Sequence, residues 1–159
     1  MFTDEFNADL ERGKSAEKIV LDYLAANVDG FTFTDVSNIS ECRYKGDILA
    51  IGENGEEIYI EVKNDSRIAD TGNILCEEEV EYKTSGYIGK GNMDCNSDVY
   101  AIVSQSERKI YFLNFEKLKK LAKYAPYKEI HHFYQTTYAR LVDLYTAKRS
   151  GALIGAITY

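Results

Sequence analysis

Cysteine is scarce in this chain, and its three copies, Cys42, Cys76 and Cys95, are widely spaced with no CxxC pair. An odd, scattered set excludes a disulfide frame and a zinc site and points to free thiols in a reducing cytoplasm. Long apolar runs are missing too. "GALIGAI" near the C-terminus falls far short of the roughly 20 residues a membrane span needs. The opening "MFTDEFNADLERGK" is acidic and has no apolar h-region, so no signal peptide is expected. The two histidines, His131 and His132, are adjacent and so face different ways on any regular element, which excludes joint chelation there. No Ser/His/Asp set, P-loop or GxGxxG fingerprint is present. Nor is there an internal repeat, a low-complexity tract or a linker. Basic residues are outnumbered, 19 against 26 acids for a net charge of −7, which argues against a dedicated nucleic-acid binder.

What is present fits one soluble globular domain over residues 1–159, at 45% hydrophobic and 28% charged residues. The average charge hides a split. Residues 1–107 carry 23 acids and 9 bases, whereas residues 108–159 carry 3 acids and 10 bases. A basic, aromatic-rich C-terminal third at +7 thus follows a body at −14. Such asymmetry suits either a phosphate-facing surface or a surface that meets an acidic partner.

Hydrophobic periodicity predicts a helix over 15–27, where Ile19, Val20, Tyr23 and Leu24 share helical spacing, and alternation predicts a strand over 31–36. Strands are expected at 73–82, 98–104, 109–114 and 152–159. Helices are expected at 115–125, ended by Pro126, and at 136–148. The fold class is α/β (α+β), with a mixed central sheet flanked by helices.

Residues 44–65, "YKGDILAIGENGEEIYIEVKND", form the most informative stretch. Ile58, Ile60 and Val62 alternate with Tyr59, Glu61 and Lys63, so an acid and a base share the face opposite the apolar one. A two-residue Asn54-Gly55 turn would set Asp47 opposite Val62. A three-residue loop, Glu53-Asn54-Gly55 with Gly55 left-handed, sets it opposite Glu61, with Cβ atoms about 5 Å apart. The second register is favoured because it makes one face apolar and gathers the charges on the other. Two carboxylates that close repel unless a cation lies between them, and hard oxygen ligands suit Mg²⁺ or Mn²⁺. A nearby lysine can stabilise charge building on a phosphate. The competing reading is a surface Glu-Lys pair facing water.

Asp47 followed by Glu61-Val62-Lys63 resembles the Asp…Glu-x-Lys signature of the PD-(D/E)XK nuclease superfamily. "RYKGDI", "IYIEVKND" and "DSRIADTGN" are similar to segments of small phage and bacterial nucleases of that superfamily, with the order of elements alike over about residues 11–121. The strand proline of the signature is replaced by Gly46. The resemblance implies a restriction-endonuclease-like fold and metal-dependent DNA hydrolysis. Asp47, Glu61 and the Val62 carbonyl would bind the metal, and Lys63 would act on the attacking water. It also implies that a glutamate on the first helix completes the site, as in Holliday-junction resolvases. Glu17 is that residue, at one end of the apolar stripe, although an acid in the first turn of a helix also complements its dipole. The resemblance further implies that Thr71 and Asn73 contact the scissile phosphate or shape the site; the alternative is a turn at Gly72. Glu77 and Glu79 could add a ligand, or form a solvated acidic edge.

Lys117, Lys119, Lys120 and Lys123 crowd one helix, interleaved downstream with tyrosines, as a nucleic-acid track would use. The expected partner is DNA, branched substrates included, with no membrane and with a homodimer for paired cuts. A rival function is a non-catalytic binding protein on the same fold, such as a phage-borne inhibitor or DNA mimic acting on a host defence enzyme.

Overall fold

The computed structural model describes residues 4–159. Helix α1 spans Asp4–Asn27, starting eleven positions before the expected helix. Its buried residues, Ala16, Val20 and Leu24, all lie in its second half, so only that half carries a readable apolar stripe. Asp4 and Glu5 occupy its first turn, where acids complement the helix dipole.

Strands β1 (Phe31–Asp35), β2 (Ile48–Gly52), β3 (Glu57–Asn64), β6 (Val99–Ser104), β7 (Lys109–Asn114) and β10 (Leu153–Thr158) build a six-stranded sheet in the order β1-β2-β3-β6-β7-β10. β3 and β6 run parallel, and the other neighbours antiparallel. The chain is therefore α+β with a mixed sheet flanked by helices. β6 is almost wholly buried, as a central strand covered on both faces must be.

Each face of this sheet has its own core. On one, Ile48, Ile60, Ala101, Val103 and Ile110 pack under α1. On the other, Tyr100, Ile102 and Leu113 meet helix α2 (Ile68–Thr71) through Ile68, helix α3 (Phe115–Ala122) through Phe115 and Leu118, and helix α4 (Leu144–Arg149) through Ala147. Ile74 and Cys76 of strand β4 (Asn73–Tyr82) join them. β4 belongs to a second sheet, ordered β5-β4-β9-β8, with β5 at Ile88–Lys90, β8 at Tyr127–His131 and β9 at Gln135–Asp143.

The described residues thus hold a second sheet beside the mixed one. One expectation is corrected here. The helix expected over 136–148 is strand β9 followed by the short α4. Tyr138, Leu141, Val142 and Tyr145 mimic helical spacing, but β9 ladders against β4 from Asn73↔Asp143 to Tyr82↔Gln135. Thr136, Thr137 and Val142 are β-branched and suit that pleat. Tertiary pairing overrides the local period.

Candidate carboxylate site

The hairpin register decides which charges meet. β2 and β3 pair Ile48↔Ile60, Leu49↔Tyr59, Ala50↔Ile58 and Ile51↔Glu57. The connection is the three-residue loop Glu53–Gly55, closed by Gly52 N–H to Glu56 O at 2.9 Å, with Gly55 at φ 80°. Continued one step, that register brings Asp47 level with Glu61. The regular ladder stops first, and the Asp47 amide donates to the Ile60 carbonyl at 2.9 Å. The Asp47 carboxylate then accepts the Val62 N–H at 2.8 Å, which pins the acid at the mouth of the hairpin. Gly46 makes this possible. It sits at φ 145°, and a Cβ there would lie 2.9 Å from both the Ile60 carbonyl oxygen and Ser97 Oγ.

Glu61 comes from β3. Burial and the like charges of Asp47 and Glu17 push its carboxyl up to about 8, although the Cys95 thiol and the Lys63 charge work the other way. The Cys95 thiol donates to Glu61 Oε2 at 3.4 Å. Asp47 is raised by burial and by Asp35, against the lowering effect of its bond from Val62. Glu17 enters from α1, raised to about 7 by burial, by Asp47 and by Asp35, with Ser37 and Lys14 opposing. It lines an open cleft of about 370 Å³ together with Lys14, Asp35 and Ser37. Glu17, Asp47 and Glu61 are thus within one another's electrostatic reach.

Lys63 contributes the positive charge that Glu61 senses. Its ammonium is also 2.6 Å from Glu77 Oε1 of β4, a side chain only 12% exposed against 30% for the lysine. A buried carboxylate of that kind requires a partner, and Lys63 is it. The donor set is all carboxylate oxygen and short of positive charge, the environment that a hard divalent cation relieves. Among the described residues, however, no three His, Cys, Asp or Glu side chains are gathered closely enough to ligate one ion as they stand.

The remaining sequence candidates lie elsewhere or have structural partners. The Thr71 hydroxyl donates to the Arg67 carbonyl at 2.9 Å and accepts the Asn73 N–H at 3.2 Å, closing the α2 turn at left-handed Gly72. Lys119 donates to the Cys95 carbonyl and lies 4.5 Å over the Phe115 ring. Lys120 pairs with Glu116 at 2.8 Å within α3. Lys117 and Lys123 are exposed. Glu77 and Glu79 do not form one acidic row, because the β4–β9 register shifts between them.

Sequence reasoning missed Asp35, Cys95 and the role of Glu77. Asp35 ends β1 next to Val36, whose N–H bonds the Asp47 carbonyl at 2.8 Å, a contact made by sheet topology alone. Glu77 sits in the "CEEEVE" run, and only β4 crossing above β3 distinguishes it from its neighbours.

No protein-family model matches the chain, and no curated protein does. Among solved structures it is similar to a bacterial homing endonuclease, I-Ssp6803I, with a TM-score of 0.50 and 10% identity. The likeness covers 79% of this chain and 74% of the other, and it extends to the fold.

Proposed function

We propose that this chain is a Mg²⁺- or Mn²⁺-dependent endonuclease of the PD-(D/E)XK type that hydrolyses phosphodiester bonds in DNA. The observation that carries the reading is the hairpin register that levels Asp47 with Glu61, with Lys63 on the same strand and Glu17 within electrostatic reach from α1. The likeness of fold to a homing endonuclease supports it. Asp47, Glu61 and the Val62 carbonyl would hold the ion, and Glu17 would supply a further carboxylate from α1. Bound there, a divalent cation supplies Lewis-acid polarisation of the phosphate and acidifies a water.

The protein groups do the rest. Lys63 donates to the phosphate or orients the attacking water, with its reach set by Glu77. Two copies, each cutting one strand, would sever a duplex. The three free thiols agree with a reducing, cytoplasmic setting.

Incubating plasmid and branched DNA with the protein in Mg²⁺ or in EDTA tests the reading. Nicking or linearisation in Mg²⁺ alone, abolished by Asp47→Ala, is the expected result. One observation favours the rival, a non-catalytic binding protein of the same fold that inhibits a host enzyme or mimics DNA: the Lys63 ammonium is already engaged by Glu77. Intact DNA of every form in Mg²⁺ and Mn²⁺ would put that rival ahead.

A further inference from the structure

Phosphates approaching three carboxylates need compensating cations close by, and two of the four lysines on or beside the basic helix α3 already have partners. Lys119 is bonded to a backbone carbonyl and Lys120 to Glu116. The loop that delivers Asp47 does provide them. Arg43, Tyr44 and Lys45 are consecutive and exposed, and they end one residue before the acid. Among the described residues neither cation joins an ion pair. The Arg43 guanidinium lies 5.7 Å from the Tyr44 ring centroid, and the Lys45 ammonium 5.4 Å from that of Tyr59. The backbone beneath them is fixed. The Tyr44 carbonyl accepts from Asn96 N–H at 2.7 Å, and the Lys45 carbonyl accepts from Ser97 Oγ at 2.5 Å. Tyr44 is nevertheless 61% exposed, with Arg43 at its ring.

We infer that Arg43, Tyr44 and Lys45 form a nucleic-acid contact at the rim of the carboxylate site, with Tyr44 stacking on an unpaired base and the two cations on the flanking phosphates. The substrate class is therefore DNA containing unpaired nucleotides. A duplex keeps its base faces stacked inside, whereas a single strand or a flap offers one to an exposed ring. The rigid loop pre-orders the three side chains, which lowers the entropy lost on binding. The inference rests on the reading of the adjacent acids as a site acting on nucleic acid.

Fluorescence anisotropy of a labelled single-stranded oligonucleotide and its duplex, in EDTA, tests it without any cleavage. The single strand should bind more tightly than the duplex. Tyr44→Ala should weaken single-strand binding by about tenfold, and Tyr44→Phe should restore it. Arg43→Ala and Lys45→Ala should each flatten the log–log salt dependence by about 0.7, the loss of one phosphate contact. Lys117→Ala with Lys123→Ala should change little. Wild-type affinity in the Arg43→Ala/Tyr44→Ala/Lys45→Ala variant overturns the inference, and so does a wild-type protein that binds neither DNA. Tyr44-dependent binding without cleavage in Mg²⁺ keeps this inference and removes the nuclease; cleavage with binding untouched by all three changes does the reverse.

Discussion

Replacing Glu61 with glutamine should stabilise the protein at alkaline pH, and the gain should vanish in acid. In the folded chain the Glu61 carboxyl is pushed up to about 8 from an ordinary 4.5. The native state therefore holds a proton that the unfolded chain has released, and stability falls as pH rises across that interval. The contribution is fully present below about pH 4.5 and gone above about pH 8. At about 1.4 kcal/mol per pKa unit the ceiling is about 5 kcal/mol. Part of the repulsion is shared with Asp47 and Glu17, which remain in the variant, so a gain of about 2–3 kcal/mol is expected at pH 8.5. For a chain of this size that corresponds to about 5–10 °C in Tm. Glutamine keeps an acceptor for the Cys95 thiol, so little packing is lost. Urea unfolding of the wild type and Glu61→Gln at a series of pH values gives the measurement. A difference between the two that stays flat from pH 4.5 to 8.5 would show that burial and like charges do not hold the Glu61 carboxyl up, and would refute the reasoning.

Divalent cation should act on the same repulsion from the other side: Mg²⁺ should raise the wild-type Tm more at pH 8 than at pH 5, where protons occupy the acids, and should do nothing for Asp47→Ala. At pH 5, where protons relieve the repulsion, Asp47→Ala should also cost about 1–2 kcal/mol in stability by freeing the Val62 N–H, read from urea midpoints. Lys63→Ala should reduce DNA cleavage by about 10²–10³ while leaving Mg²⁺-induced stabilisation intact, and cleavage at the wild-type rate would make the lysine merely the partner of Glu77. Gly46→Ala should lower stability by more than about 2 kcal/mol, because its Cβ would press on the Ile60 carbonyl from a φ of 145°. A soluble, equally stable Gly46→Ala protein would show that the loop has room to shift.

Local chemistry made some of this architecture readable in advance. The three-residue hairpin loop and the register that levels Asp47 with Glu61 follow from one glycine and from keeping Ile58 and Ile60 on an apolar face, and the fold has both. The strands of the β6–β7 hairpin likewise follow from continuous apolar runs around polar Gln105–Arg108. What stayed hidden depends on contacts distant in sequence. Nothing near Thr136 or Leu141 announces a ladder with residues some sixty positions earlier, so β9 read as a helix. Glu77 looked like one solvated acid among four, because the strand that lays it on Lys63 belongs to a sheet the periodicity does not reveal. The lysines of α3 drew attention by number, yet two of them have partners inside the protein.

The parallel join of β3 to β6 also bears on how the chain is made. Glu17, Asp47 and Glu61 all precede β6, which follows only after the excursion through β4 and β5. During that interval β3 has β2 on one side and an open row of amides and carbonyls on the other, next to Ile58, Ile60 and Val62. Such a strand is a template for pairing with another nascent chain, and inward charges are the usual protection. Glu61 and Lys63 put charge of both signs on that strand. A β3 edge carrying Glu61 and Lys63 is thereby less apt to pair with another nascent chain before β6 arrives.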